Sequence, residues 1–515
     1  MKITSINTLA ATLGGIRRGI EKETVRTTPK GAISPHSHPE SLGSALMHPF
    51  ITTDFAEAQL ELITPAYTDK HAVFSHLASL HHFVAGNLAN QDMLWAGSLP
   101  PVLPEEEAIE IANYGTSNAA QMKMRYRQGL ANRYGKRMQT ISGIHYNFSL
   151  PDNFWTILHA QAQSPLSLAD FISERYFHLI RNAMRHGWIV AYLFGASPAL
   201  DKSYVAGREQ DLDALEALDS ETLYMPWATS LRLSRFGYTN SEQSQYPISY
   251  NDKNTYLQGV SALLAKPSEK YLSIEEGQQL NAAILQLEAE LYGAIRPKVV
   301  AKDMRPLEAL CRKGVEYVEL RTVDNNPYLP LGINETQSHF LDMFLTYCAL
   351  TPSPSLTVEE QSVIKSRMES VATMGRKPNL MLPTLTGDHS LVELGTKLLA
   401  EMADVASLFD RAFDTHEYSQ SLMLENQKLH DPALTPSAMM VADMQQGGIG
   451  YTALVTTLSQ AHMQTHREFS VEPDLHDQLT AMVPSSLREQ QVLEAEQPVS
   501  FEDFLSKKNA ITCDC

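Results

Sequence analysis

Glu21 and Glu23 in GIEKETV stand two residues apart. In a strand, alternate side chains share a face, so the two carboxylates project together while Ile20 and Lys22 turn away. Neighbouring like charges repel unless a cation lies between them. The segment TTDFAEAQLELITP repeats the theme: Asp54, Glu57 and Glu61 punctuate an apolar run, with Leu60 and Leu62 facing opposite to Glu61. In GVEYVELRTV, Tyr317, Glu319 and Arg321 take one face and Val318 and Leu320 the other. A carboxylate and a guanidinium at that spacing form a structural ion pair, or hold a metal and an anion side by side. IHYNFS adds His145 and Asn147 on one face. Each segment alone also reads as a solvated strand face or a satisfied structural histidine. Taken together, strands that each turn carboxylates to one side would line a cavity of hard oxygen donors, which suits Mg2+ shared with substrate phosphates.

Such groups need a sheet to position them. Alternation and turn residues argue for strands over about residues 15–65, interrupted by a Pro, His and Ser-rich loop at 34–40. Residues 69–90 and 165–193 have helical length and spacing, and ISGIHYNFSLP between them alternates like a strand. Without a regular βαβ rhythm, the class is α+β. Ile3, Ile6, Ala10 and Leu13 predict a short amphipathic helix at the start. Residues 273–292 predict a helix, with Ser273 as cap, Glu in the first turn and recurring Leu and Ile. After Pro330 nearly everything reads as helix to about Leu505. The expected organisation is a catalytic sheet-and-helix body over 1–333 and a mostly helical region over 334–515, packed on the same body and ending in a short tail.

The chain has 515 residues, enough for about three domains at roughly 150 residues each, or one large domain with appendages. With 43% hydrophobic residues, 26 Gly and 27 Pro, it is an ordinary globular composition. Lys plus Arg number 41 against 59 Asp plus Glu, a net charge of -18 that repels a phosphate backbone, so no nucleic-acid partner is expected. The basic, aromatic stretch KMRYRQGLANRYGKRMQ superficially resembles an RNA-binding segment. Against that charge, Lys123, Arg125, Arg127, Arg133, Lys136 and Arg137 read better as a solvated helix or as phosphate-neutralising groups beside an acidic metal site. Cys311, Cys348, Cys513 and Cys515 do not form a disulfide framework. The longest uncharged apolar stretch, 188–200, is too short to cross about 30 Å of hydrocarbon and contains Pro198. No secretory leader is evident. A cytoplasmic protein with no membrane partner is expected.

Other chemistries lack their signatures. There is no CxxC or HExxH for a soft metal, no GxxxxGK[ST], and no GxSxG. Gly447, Gly448 and Gly450 in QGGIGYT lack dinucleotide-binding spacing and read as a helix break. A bound ATP would be held mainly through its metal ions.

GIEKETVR, LGSALMHPFITTDFAEAQLELITP, YGTSNAAQMKMRYRQGLANRYG, MQTISGIHYNFSLP, ATSLRLSRFGYTN and GVEYVELRTVDNNP together resemble the bacterial glutamate-cysteine ligases, or gamma-glutamylcysteine synthetases. The blocks run from about Gly15 to Ile333, with further agreement at LFGASPAL, ELYGAIRPK and GRKPNL. The resemblance implies a glutamine synthetase-like fold, in which a large antiparallel sheet forms a funnel-shaped active site wrapped by helices. It implies ligation of the glutamate γ-carboxylate to the amine of cysteine through γ-glutamyl phosphate. The products are γ-glutamylcysteine, ADP and phosphate, in the first step of glutathione biosynthesis.

By position, the family's metal ligands fall on Glu21, Glu23, Asp54, Glu61 and Glu319, with His145 alongside, for Mg2+ or Mn2+. Arg232 and Arg321 fall on the arginines that stabilise the transferring phosphoryl group or the glutamate carboxylates. Phe55, Tyr126, Leu130, Gln139, Tyr238 and Tyr292 fall on the cysteine pocket. The adenine contacts are not assigned, and a monomer is expected. Departures from the family pattern are the CDC tail, the stretch 201–220, and Thr322 where Ser is expected after Arg321. Competing readings are a related ligase acting on a different amine, a non-catalytic relative and an RNA-binding protein.

Overall fold

The computed structural model describes residues 7–208, 212–240, 242–301 and 304–509. Among these residues ten strands precede residue 330: β1 Arg17–Thr27, β2 Ile51–Thr53, β3 Gln59–Ile63, β4 Met93–Leu94, β5 Ile144–Ser149, β6 Ala199–Asp201, β7 Glu216–Ala217, β8 Thr222–Tyr224, β9 Ile295–Lys298 and β10 Tyr317–Val323. The main sheet is antiparallel in the order β2-β3-β1-β5-β10-β9, with β4 beside the end of β1. β6, β8 and β7 make a small second sheet.

Period-two alternation on three adjacent central strands gives the sheet two unlike faces. On one face, Ile20 lies opposite Tyr146, and Val318 opposite Phe148, all at most 1% exposed. The Tyr146 hydroxyl donates to Asp342 Oδ1 (2.9 Å) on the helix Glu335–Leu350, and so ties the sheet to its helical cover. That face also carries charge. Arg18 pairs with Asp342 (2.8 Å) and Arg26 with Asp92 (3.2 Å), while Lys22, pushed down to about 7 by burial, lies 2.9 Å from His81 Nε2.

The flanking helices start where side chains can satisfy their first amides. Asp69 accepts from His71 N ahead of α1 (Lys70–Asn87), and Ser117 accepts from Ala120 N ahead of α2 (Asn118–Tyr134). α3 (Lys136–Gln139), α4 (Asp152–Ala162), α5 (Leu168–His186) and α6 (Trp188–Phe194) follow. One hydrophobic cluster runs from Leu9 through α1, α5 and Glu335–Leu350 to Leu479, so helices beyond residue 334 share their core with the sheet.

Several expectations are corrected. Residues 273–292 are not helical: only Glu288–Glu290 forms a 3-10 turn, and the rest is an irregular segment with Gly277 at φ +82°. Its apolar residues pack, but side chains rather than a helix ladder satisfy its backbone. Arg133 donates to Asn281 O (2.6 Å), and Gln286 Oε1 accepts from Leu280 N (2.9 Å). Asn7–Gly15 is 3-10 rather than α-helical; Ile3 and Ile6 lie outside the described residues. The acidic segment after Thr53 is not one strand. A turn separates β2 from β3, and Glu57 leaves the sheet to accept from His38 N and Asn113 N, both at 2.7 Å. The helical C-terminal region is interrupted by a hairpin, Met381–Thr384 with Gly387–Ser390. The glycine cluster does break a helix: Gly448 caps Pro436–Gly447 at φ +58°, and the next helix starts at Tyr451. Cys513 and Cys515 lie outside the described residues.

Candidate active site

The second face of the sheet carries the chemistry. Register puts Glu21 opposite His145, Glu23 opposite Glu61, and Glu319 between Asn147 and Arg296. Asp54 joins from the turn that follows β2. These side chains line a cavity of about 290 Å³, together with Arg232, Arg321 and all six residues carried over for the cysteine pocket: Phe55, Tyr126, Leu130, Gln139, Tyr238 and Tyr292.

His145 is the junction of the acidic group. Its Nδ1 lies 3.2 Å from Glu21 Oε2 and 3.8 Å from Glu319 Oε1, and its Nε2 lies 3.5 Å from Glu23 Oε1. Glu21, His145 and Glu319 each offer an atom within 4.8 Å of the others, a spacing that can hold a metal ion. Asn147 Nδ2 donates to Glu21 Oε1 (2.8 Å), and Gly143 N donates to Glu23 Oε2 (2.8 Å). The β10 ladder slips between Leu320 and Val323, beside His145. Such bulges re-aim side chains next to active sites. Here Arg321 Nη1 donates to Glu319 Oε2 (3.0 Å) and approaches His145 Nδ1 at 3.4 Å.

The carboxylates divide into two environments. Burial resists ionisation of Glu319, but Arg321, then Lys298 at 3.2 Å and His145, hold it well below the usual carboxylate range. Burial likewise opposes the Glu21 charge most strongly, and the hydrogen bond and charge interaction with His145, together with Lys298, bring it below the usual range. Glu61 has only Arg127 to offset its surroundings. Burial, then the charges of Glu21, Asp54 and Glu23, push it well above the usual range, and burial also raises Glu23. Among the described residues no hydrogen bond reaches the Asp54 or Glu61 carboxylate. The donor chemistry fits a hard divalent cation, with Glu21, His145 and Glu319 spaced to share one.

The sign of the Glu61 effect follows. A carboxyl whose folded pKa is raised contributes stability below its unfolded value, and that stability is lost as pH rises through the folded value. Relative to a variant without this carboxyl, metal-free protein is therefore expected to lose melting temperature as pH rises above about 4.3, the ordinary Glu value. Glu61→Gln should flatten that fall and raise the melting temperature by about 2 °C at the alkaline end. Calorimetry in chelator checks this; parallel curves for the two proteins would refute it.

Arg232 is fixed from behind. Its Nε donates to Asp324 Oδ1 (2.6 Å), and Nη1 and Nη2 lie 3.3 Å from the Arg321 carbonyl. Of the basic stretch on α2, Arg127 lines the cavity and donates to the Asp54 carbonyl. Arg125 instead pairs with Glu502 (3.3 Å), and Arg133 is buried against Glu290 (2.9 Å). Arg296, Lys298 and Asp324 are site residues the sequence reading missed. β9 is four residues long and contains Pro297, so its alternation carries little signal. The acidic residue in VDNNP stands three positions after Arg321 and offered the one available clue to Asp324.

The family model for glutamate-cysteine ligase matches residues 1–371. The glutamate-cysteine ligase of Alcanivorax borkumensis is 42% identical over 508 residues, covering 96% of both chains. That of Azotobacter vinelandii is 42% identical over 501 residues, covering 96% of this chain and 94% of its own. The crystal structure of the Francisella tularensis glutamate-cysteine ligase in complex with AMP superposes with a TM-score of 0.89 at 31% identity, over 96% of this chain and 97% of that one. The chain belongs to the glutamate-cysteine ligase family of ATP-dependent ligases.

Proposed function

We propose that this ligase activates glutamate inside the acidic cavity and delivers the product to cysteine bound against the aromatic wall. A γ-carboxylate is a poor electrophile. One of its oxygens therefore attacks the terminal phosphorus of ATP, ADP leaves, and γ-glutamyl phosphate forms. The cysteine nitrogen then attacks the acyl carbon, the C–O bond to phosphate breaks, and the nitrogen gives up a proton as γ-glutamylcysteine forms. Phosphoryl transfer asks the protein for positioning and for neutralisation of phosphate charge.

Glu21, Glu23, Asp54, Glu61, His145 and Glu319 would hold Mg2+, or Mn2+, which when bound neutralises charge on phosphate oxygens. Arg321, kept in place by Glu319, and Arg232, kept in place by Asp324, direct N–H groups at the anionic substrates. Arg127, Arg296 and Lys298 add positive charge to the same walls. Phe55, Tyr126, Leu130, Gln139, Tyr238 and Tyr292 would accept cysteine. AMP in the Francisella enzyme supports an adenine nucleotide as phosphoryl donor. No helix among the described residues is long and apolar enough to cross a membrane.

The observation that carries this reading is the meeting, in one cavity, of an acidic cluster without enough cations, two braced arginines and an aromatic wall. Phosphate release from Mg-ATP and glutamate, with and without cysteine, tests it alongside mass detection of the dipeptide. Cysteine-stimulated release with γ-glutamylcysteine formed is expected. Release that depends on glutamate but ignores cysteine would assign a different acceptor amine.

A further inference from the structure

Three distant stretches of chain that carry the aromatic wall are joined by a closed ring of hydrogen bonds. Tyr134, at the end of α2, donates to Glu290 Oε1 (2.6 Å) and accepts from Asn240 Nδ2 (2.9 Å). Asn240 Oδ1 accepts from Gln243 N (2.9 Å). The Gln243 side-chain amide then grips the main chain of Tyr292: Oε1 accepts from Tyr292 N (2.8 Å), and Nε2 donates to Tyr292 O (2.9 Å). This is the pairing a neighbouring strand would make. Two residues of chain from Tyr292 back to Glu290 close the ring. Glu290 is itself buried and also accepts from Arg133 Nη1 (2.9 Å) and Gln286 N (2.6 Å).

Each side of the ring carries a wall residue. Tyr238 lies two residues before Asn240, and Leu130 and Tyr126 lie one and two helical turns before Tyr134 on one face of α2. Tyr292 is 44% exposed, so packing alone does not fix it. The Gln243 clamp supplies what packing does not.

We propose that Gln243 is a positioning residue that sets the affinity for the acceptor amino acid by holding Tyr292 in register with Tyr238 and α2. This rests on the pocket reading given above. Gln243 does not line the cavity; it acts through the Tyr292 backbone.

The test is a full steady-state analysis of Gln243→Ala in the intact enzyme. Loss of two hydrogen bonds to the wall is expected to raise the KM for cysteine about tenfold. The kcat at saturating cysteine should stay within about twofold, and the KM values for glutamate and ATP should not move. Hydroxylamine, an acceptor with no side chain or carboxylate for the wall to grip, should form γ-glutamyl hydroxamate at the wild-type rate. Gln243→Glu keeps the acceptor for Tyr292 N and loses the donor to Tyr292 O, so its cysteine KM should fall between the two. Unchanged cysteine KM in Gln243→Ala overturns the proposal. So does a rise in glutamate or ATP KM, or a fall in hydroxamate formation, in step with the cysteine effect, since that marks general loosening. Tyr292→Ala separates the two layers of the argument. A normal cysteine KM there rejects the pocket reading, whereas a raised one with a normal Gln243→Ala rejects only the clamp.

Discussion

Glu319→Gln is expected to lower turnover at least about a thousandfold, the scale seen when a preorganised charge aimed at the reacting group is removed, while lowering the melting temperature of the metal-free protein at neutral pH by only about 2–4 °C, because a carboxylate held below its ordinary range stabilises the fold. Glu319 is 1% exposed, yet its two closest charged partners, Lys298 and Arg321, are 33% and 26% exposed at their side chains. An amide at this position fits the same space. It leaves cations that can reach water rather than sealed ones, so the folding cost is limited to the lost attraction. The catalytic cost is large because three functions end on one carboxylate: a donor atom of the trio that could hold a metal ion, the anchor for Arg321, and the counter-charge for Lys298. Arg321→Ala should lose turnover on the same scale, again with the fold retained. Turnover and calorimetry on the two variants check both halves. Near-normal residual activity with a collapsed melting temperature would show that the pair is structural.

The acidic strands were legible because alternation assigns each residue a face before any tertiary structure is known. Glu21, Glu23, His145 and Glu319 could share a cavity only if their strands were neighbours, and the register makes them so. Alternation could not say whether the opposite face was dry. Arg18, Lys22 and Arg26 look like solvent-facing residues in sequence and are buried, because Asp342, His81 and Asp92 reach them from helix and loop positions far along the chain. The misread helix at 273–292 has the same cause. Apolar spacing records that the segment packs, not that it packs as a helix, and the side chains that replace its ladder, Arg133 and Gln286, make bonds that local pattern cannot foresee. The cavity's cationic lining was legible only in part. Arg127 stood in a recognisable basic stretch, but nothing local distinguished it from Arg125 or Arg133, which turn elsewhere. The resemblance to a family supplied the pocket tyrosines and Arg232; neither spacing nor composition would have found them.

Arg232→Ala should behave differently from Arg321→Ala, losing stability as well as turnover. Asp324 is 1% exposed and accepts from Ala196 N (2.8 Å), Ser197 Oγ (2.7 Å) and Ser230 Oγ (3.1 Å), but the one cation in its shell is Arg232. Truncating one partner of a buried pair costs about 3–5 kcal/mol, because the other charge stays behind without compensation. The three neutral donors that remain on Asp324 put the expected loss near 3 kcal/mol. Turnover should fall about a hundredfold or more, since the cavity loses a guanidinium held beside Arg321. Adding Asp324→Asn to Arg232→Ala separates the roles. The second change removes the stranded charge, so most of the lost stability should return, whereas activity should not, because no guanidinium returns with it. Undiminished stability in Arg232→Ala would mean that water reaches Asp324. Recovery of turnover in the double variant would mean that Arg232 serves only to neutralise Asp324 and that Arg321 alone meets the substrate anions.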